Sequence, residues 1–381
     1  MSGSELRQDP ATGRWVIVAP ARARRPGAER ARPDFRKAGP KPERSVISAR
    51  DPICPFCPGN EEQTPPEVYR LPGKAVTGAV GGTVPAGDGN GARWPGDGAS
   101  QAPWRVRVVP NRFPMLSPAE GPQRRSRQKK AAREPGGVCG SGPFAARPAA
   151  GAHEVIIETP DHSRHPADME DDELAAVLGI YRERYRALAS RPGIRYVSLF
   201  RNHGREAGAS QAHPHAQAVA LPLVPPDVRA RWRAAARYAR RTGRCLYCDL
   251  LEAERDAQAR WLWDNGAFAA FCAHAPRVAY EMWVAPIRHQ ADFALARDDE
   301  LALLAQALGR ALRALKRLLD DPPYNLVLLS GSPAGDGLRF HWHWQILPRM
   351  TRPAGFELGT GMAVVPVTPE QAASDLRSFT G

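Results

Sequence analysis

Tyr196-Val-Ser-Leu-Phe-Arg-Asn202-His-Gly-Arg-Glu-Ala-Gly208-Ala-Ser210-Gln-Ala-His213-Pro-His215-Ala-Gln217 is one half of an internal repeat. The other half is Tyr324-Asn-Leu-Val-Leu-Leu329, followed by His341-Trp-His343-Trp-Gln345. In both, the first histidine comes seventeen residues after the tyrosine. Upstream, Glu154-Val-Ile-Ile-Glu-Thr-Pro-Asp-His162 is answered by Glu281-Met-Trp-Val-Ala-Pro-Ile-Arg-His289. Nine residues after each of those histidines stands Asp-Asp-Glu-Leu-Ala, at Asp171 and at Asp298. Further upstream, Cys54-Pro-Phe-Cys57 is matched by Cys245-Leu-Tyr-Cys248. Five matches in one order at nearly equal spacing define a duplication.

The duplicated unit is readable as α/β. Tyr196–Phe200 is a short apolar run ended by Asn and Gly, a buried strand entering a loop. His153–Thr159, Ala218–Leu221 and the alternating Trp104–Val109 read as strands, as does Arg14–Ala19. Leu174, Val177, Leu178, Tyr181, Tyr185 and Leu188 fall at helical spacing behind an acidic start, predicting a helix over 169–190. A basic helix follows over 226–243. Each unit is thus an antiparallel sheet with a helix, and the two are joined through their sheets. The units are expected at 1–225, with the reactive histidines, and at 226–381, with the second cysteine pair. Residues 72–103 and 118–150, poor in bulky apolar side chains, read as insertions in the first unit.

The 381 residues are 43% hydrophobic, enough for real cores, with no apolar run of membrane-spanning length. The N-terminus, Met-Ser-Gly-Ser-Glu-Leu-Arg, has no apolar signal region, so a cytoplasmic place is expected. A net charge of +13 suits anionic substrates or nucleic acid. The arginines are scattered along the whole chain, however, and that argues for general compositional bias over a nucleic-acid interface.

Four of the six cysteines form Cys-x-x-Cys pairs, with histidines placed downstream, which favours zinc over disulfides. The repeat aligns Cys54, Cys57, His162 and His213 in the first unit with Cys245, Cys248, His289 and His341 in the second. Four N/S ligands with no open position describe two structural zinc sites. Cys139 and Cys272 stand outside these sets.

That assignment leaves His215 for chemistry. In an extended segment His213, His215 and Gln217 share a face. A neutral imidazole can attack phosphorus, forming a labile P–N bond that splits one displacement into two. Its other nitrogen must carry the proton, held by a carbonyl or similar group. Gln217 can donate to phosphoryl oxygens, Gly208 and Ser210 offer further donors, and Asn202 can hold a second phosphate. His343, flanked by Trp342 and Trp344, reads as structural or pocket-lining. Pro20-Ala-Arg22-Ala-Arg-Arg25-Pro is either a solvated charge run or a phosphate clamp.

Together Cys54-Pro-Phe-Cys-Pro-Gly-Asn60, Pro110-Asn-Arg-Phe-Pro114, Pro160-Asp-His-Ser163 and Gly208-Ala-Ser ahead of His213-Pro-His-x-Gln217 resemble the galactose-1-phosphate uridylyltransferase family of the histidine-triad superfamily. The resemblance implies an α+β fold of two tandem histidine-triad-like units. Their antiparallel sheets would join into a half-barrel with helices packed outside. It implies ping-pong transfer of UMP from UDP-glucose to galactose-1-phosphate through nucleotidyl-His215, with Gln217 assisting. It implies zinc on Cys54, Cys57, His162 and His213. It places Arg22, Arg25, Gln63, Asn111, Arg112, Asn202, Gly208, Ala209, Ser210 and Gln217 at nucleotide and sugar phosphates. A homodimer is implied, the arginine loop coming from the partner subunit.

The chain departs from that pattern in two places. Well-known bacterial members hold a second metal with a glutamate and three histidines. Here Arg229 and Arg231 occupy the glutamate region and Ser330 replaces one histidine. Cys245 and Cys248 instead resemble the second zinc site of the ADP-glucose phosphorylase branch. Gly355-Phe-Glu-Leu-Gly-Thr-Gly-Met362 replaces a segment that carries a hexose-phosphate-binding lysine. An NDP-sugar or dinucleotide phosphorylase using inorganic phosphate is therefore the alternative. A hydrolase is disfavoured because Gln217, which cannot act as an acid or base, takes the third histidine's place. The alternative of another class is a zinc-stabilised nucleic-acid-binding protein, which has no need for Gly-Ala-Ser paired with His-Pro-His.

Overall fold

The computed structural model describes residues 4–24, 51–73, 104–116, 148–332 and 335–379. Arg25, Cys139 and nearly all of the two insertions lie outside them.

In the first half come β1 (Glu5–Gln8), β2 (Trp15–Val18), β3 (Tyr69–Pro72), β4 (Trp104–Pro110), β5 (Ala152–Ile157), α1 (Asp171–Ala189), β6 (Tyr196–His203) and β7 (His215–Leu221). Then follow α2 (Pro226–Thr242), α3 (Leu246–Ala257), β8 (Trp261–Asp264), β9 (Phe268–Cys272), β10 (Met282–Pro286), α4 (Asp298–Leu319), β11 (Tyr324–Leu329) and β12 (His343–Pro348). The chain ends with α5 (Gly355–Thr360), β13 (Ala363–Val365) and α6 (Pro369–Arg377).

One antiparallel sheet runs β3-β4-β5-β7-β6-β11-β12-β10-β9-β8. Its first five strands and its last five, read from the opposite edge, have the same order, as a duplication requires. The seam is β6 against β11, with Tyr324 opposite His203 and Asn325 opposite Asn202. β3 and β8 are the two edges, so the sheet is open and not a closed barrel. The expected α+β class, antiparallel sheets joined with helices packed on them, is what the chain forms. No helix among the described residues is long and apolar enough to cross a membrane.

The repeated Asp-Asp-Glu now has a cause. The carboxylate of Glu173 accepts the N–H of Glu170 at 3.0 Å, and that of Glu300 accepts the N–H of Arg297 at 2.9 Å. Each glutamate closes the start of its helix, with aspartates beside it favoured by the helix dipole. α1 and α4 pack on one face of the sheet through Leu174, Leu178, Leu304, Leu308 and Leu312, all buried. Alanines at 216, 218 and 220 of β7 point to that face and let the helices sit close. Within this layer Arg201 pairs with Glu158 at 3.0 Å, both fully buried, and the Tyr181 hydroxyl donates to the same carboxylate.

The opposite face is treated differently in the two halves. Over the second half, α2 and α3 cover it with Trp232, Tyr247 and Leu251 packed on Trp283 and Phe340. Over the first half a small apolar group, Trp104, Val109, Val155 and Ile157, lies under Phe56.

β1 and β2 form a hairpin that β13 joins in parallel, Ala363 opposite Val16. The N-terminal hairpin therefore packs with the C-terminal segment, where Arg7 and Arg260 share the carboxylate of Glu370 at 2.8 and 2.7 Å. β3, β8 and β9 were not anticipated from sequence. Asn265-Gly266, with Gly266 at φ 82°, is a turn signal that would have found the β8–β9 hairpin.

Candidate functional site

β6 is longer than the apolar run predicts and carries Asn202 at its end, so that amide projects from a strand. β7 begins at His215, and His213 lies just before it. His213, His215 and Gln217 therefore do not all act as one extended row. β7 pairs with β5 on one side and β6 on the other, so His215 and Gln217 stand on a central, doubly held strand.

His213 turns to the cysteine knuckle. The thiol of Cys57 lies 3.4 Å from His162 Nδ1 and 3.5 Å from His213 Nδ1. One ligand atom each from Cys54, Cys57, His162 and His213 falls within 4.8 Å of the others, all four residues buried. His213 Nε2 donates to the Thr159 carbonyl at 2.8 Å, which leaves the Nδ1 lone pair facing the thiols. Burial pushes Cys54 up to about 11 and His213 down to about 4. A cation that displaces the thiol protons supplies the charge this buried set lacks, so the donors fit a metal ion. Cys245, Cys248, His289 and His341 make the matching set. Cys248 Sγ lies 3.5 Å from each histidine Nδ1, and His341 Nε2 donates to the Pro286 carbonyl at 2.8 Å.

His215 carries the opposite tautomer. Its Nδ1–H donates to the His213 carbonyl at 2.8 Å, and Nε2 makes no hydrogen bond among the described residues. Burial holds its pKa below the ordinary value, partly opposed by that bond, so the ring is neutral near pH 7. Phe56, from between the two cysteines, meets the ring edge-on at 5.3 Å. A neutral, oriented imidazole with one free lone pair is a nucleophile suited to phosphorus.

Gln217 sits one pleat further along, its Oε1 2.8 Å from His153 Nε2. His153 was read from sequence only as the start of a strand. Its Nδ1 accepts the N–H of Met115 at 3.2 Å, and its carbonyl accepts the N–H of Asn111 at 2.8 Å. The Pro-Asn-Arg-Phe-Pro segment is thereby brought to Gln217. Asn111 is half-buried there and Arg112 is exposed.

On the other flank, Asn202 Oδ1 accepts from Asn325 Nδ2 at 2.9 Å, and the same Nδ2 donates to the Ala207 carbonyl at 2.8 Å. Gly208 takes φ +89°, a left-handed conformation that costs glycine nothing. Ala209 is half-buried and Ser210 exposed in the same loop. Gln63 and Arg22 are exposed, and no contact among the described residues brings either to His215. Asn325, like His153, carries no sequence signal of its own; both show themselves only through partners tens to over a hundred residues away.

The second unit holds the same motif in closed form. His343 Nδ1 donates to the His341 carbonyl at 3.0 Å, but its Nε2 is capped by Gln345 Nε2 at 3.2 Å. The ring stacks on Trp283 at 4.5 Å and is 1% exposed. His343 is thus enclosed, under the cover formed by α2 and α3.

Residues 96–225 match the family described as Galactose-1-phosphate uridyl transferase, N-terminal domain. An ADP-glucose phosphorylase of Arabidopsis thaliana is 32% identical over 380 residues, 99% of this chain and 93% of that protein. A galactose-1-phosphate uridylyltransferase of Thermotoga maritima is 25% identical over 382 residues, 98% of each. The crystal structure of an ADP-glucose phosphorylase from Arabidopsis thaliana with bound ADP-glucose has a TM-score of 0.72 at 29% identity, covering 99% of this chain and 98% of that one.

Proposed function

From the fact that this chain belongs to the galactose-1-phosphate uridylyltransferase family, we propose that it transfers a nucleotidyl group from a nucleotide sugar by way of nucleotidyl-His215. The observation that carries this reading is the tautomer of His215, with Nδ1–H anchored on a carbonyl and Nε2 free.

His215 Nε2 attacks the α-phosphorus. The P–N bond forms as the bond to the bridging oxygen breaks, and sugar-1-phosphate departs. The amide N–H of Gln217 donates to the phosphoryl oxygens as their charge grows. An oxygen of the acceptor phosphate then attacks the same phosphorus, and the P–N bond breaks to restore the neutral imidazole. Asn111, Arg112, Asn202 and the amides of Gly208, Ala209 and Ser210 hold the phosphates. Arg22 and Arg25, with Gln63, complete the site from the mouth, the arginines crossing from the partner of a homodimer. Zinc on the two Cys2His2 sets is structural. It supplies charge compensation and cross-links the knuckle and Phe56 to the strand of His215, and no substrate step passes through it.

Two donor–acceptor pairs fit this chemistry. Transfer of UMP from UDP-glucose to galactose-1-phosphate is supported by the Thermotoga maritima relative, matched over nearly its whole length. Phosphorolysis of an ADP-glucose-type sugar nucleotide is supported by the more similar Arabidopsis thaliana relative and by the assembled second Cys2His2 set. The test is incubation with UDP-glucose or ADP-glucose, labelled in the α-phosphate, without acceptor. Acid-labile, base-stable label on the protein, absent in His215→Ala, is expected and identifies the nucleotide. No label from either donor, or label that persists in His215→Ala, defeats the mechanism. Release of the label by phosphate or by galactose-1-phosphate then identifies the acceptor.

A further inference from the structure

We propose that His153 is a positioning residue that fixes which end of the Gln217 amide faces the reacting phosphoryl group. The inference rests on the role proposed above for Gln217.

A glutamine amide is nearly symmetric in shape, so packing alone does not choose its orientation. Here hydrogen-bond partners choose it. A backbone N–H can only donate, so Met115 N, 3.2 Å away, makes His153 Nδ1 an acceptor. The neutral ring then carries its proton on Nε2, and burial keeps the ring neutral by lowering its pKa. That Nε2–H has the Gln217 oxygen at 2.8 Å. With Oε1 so engaged, the NH2 end of the amide is the end left for the substrate. Asn111 Nδ2 also lies 3.1 Å from His153 Nε2, while its Oδ1 accepts from Phe113 N at 2.8 Å. That contact sets donor against donor, and the shorter bond to Gln217 together with the Met115 N–H on Nδ1 decides for the proton on Nε2.

The second unit supports the same logic independently. Tyr280 stands where the repeat places His153, and the oxygen of Gln345 accepts instead from Arg277 at 2.5 Å. The amide nitrogen of Gln345 consequently points at His343 Nε2. In both units a donor holds the amide oxygen, and in the second the NH2 end then meets the histidine. Only in the first does the holder also touch the loop of Asn111 to Met115, so there the phosphate-binding segment and the amide are set by one ring. Without His153 the amide is free to flip and present its oxygen to phosphoryl oxygens, which repels.

The test is the single-turnover rate of protein labelling with whichever labelled nucleotide sugar labels the wild type, in His153→Ala, Gln217→Ala and the double variant. His153→Ala is expected to slow labelling about tenfold or more, and Gln217→Ala at least as much. The double variant is expected to be no slower than Gln217→Ala, because His153 acts through that side chain. His153→Gln, which restores an N–H near the Nε2 position, is expected to recover most of the rate, and His153→Asn, too short to reach, is not. The Gln and Asn pair carries the comparison if the alanine variant unfolds. Independent effects that multiply in the double variant, or His153→Gln as slow as His153→Asn, overturn the proposal. A wild-type rate in Gln217→Ala removes instead the role given to Gln217, leaving nucleotidyl transfer through His215 standing.

Discussion

His215 rests its Nδ1–H on the carbonyl of His213 at 2.8 Å, while His213 sends its own Nε2–H to Thr159 and keeps Nδ1 for the cysteine cluster. Two histidines separated by one proline thus carry opposite tautomers. The split follows from which carbonyl each ring can reach. It gives one ring a lone pair facing thiols and the other a lone pair facing open chemistry.

The first prediction concerns metal. Wild-type protein is expected to contain two zinc ions per chain by elemental analysis. Cys57→Ser and Cys248→Ser are each expected to lose one. Loss at the first set slows nucleotidyl transfer, because the knuckle that brings Phe56 against His215 is released. Loss at the second set lowers thermal stability with a smaller effect on rate, since it lies in the closed unit. Metal-free wild-type protein defeats both assignments.

Asn325 reaches across the seam to hold Asn202 and the Ala207 carbonyl. Two lost hydrogen bonds at about 0.5–1.5 kcal/mol each predict that Asn325→Ala raises KM for the nucleotide sugar roughly tenfold. Metal content is expected to stay unchanged. Steady-state kinetics check this, and an unaltered KM contradicts it.

Glu158 and Arg201 form a fully buried ion pair under the strand of Asn202. Glu158→Ala leaves the guanidinium buried without its counter-charge, which costs about 3–5 kcal/mol. Chemical denaturation is the measurement. A loss near 1 kcal/mol, the scale of an exposed pair, contradicts it.

Glu370 gives a pH dependence. Burial opposes its ionisation, but hydrogen bonds from Arg7 and Arg260 outweigh that and lower its pKa to about 2. A carboxylate depressed in the folded state stabilises above the unfolded value of about 4.3, and that contribution is lost as pH falls towards 2. Glu370→Gln is therefore expected to be less stable than wild type at neutral pH and to converge with it between about pH 4.5 and 2. The group is partly exposed, so the effect is modest and weakens in salt. Parallel acid-melting curves that never converge refute the assignment.

Much of the site is legible in the chain. The repeat alone groups His213 and His341 with the cysteines, because metal ligands must recur together while a nucleophile need not. The helices of the two Asp-Asp-Glu starts are legible because capping acts within four residues. The short strands β3, β8 and β9 are not, since four or five residues are too few to show a strand's period.

By itself the sequence determined two copies of one unit, two Cys2His2 sets suited to a metal ion and the histidine proposed for chemistry, all read from residue type and spacing. The tertiary structure decided which residues those groups meet. It placed β6 on β11, so that Asn325 of one unit serves the loop of the other. It laid α2 and α3 over the second histidine pair, closing one of two otherwise similar sites. It brought His153 to Gln217, giving a symmetric amide its direction. Hydrogen bonds and burial are set by distance in space, and the partners here stand tens to over a hundred residues apart, beyond what spacing along a chain encodes.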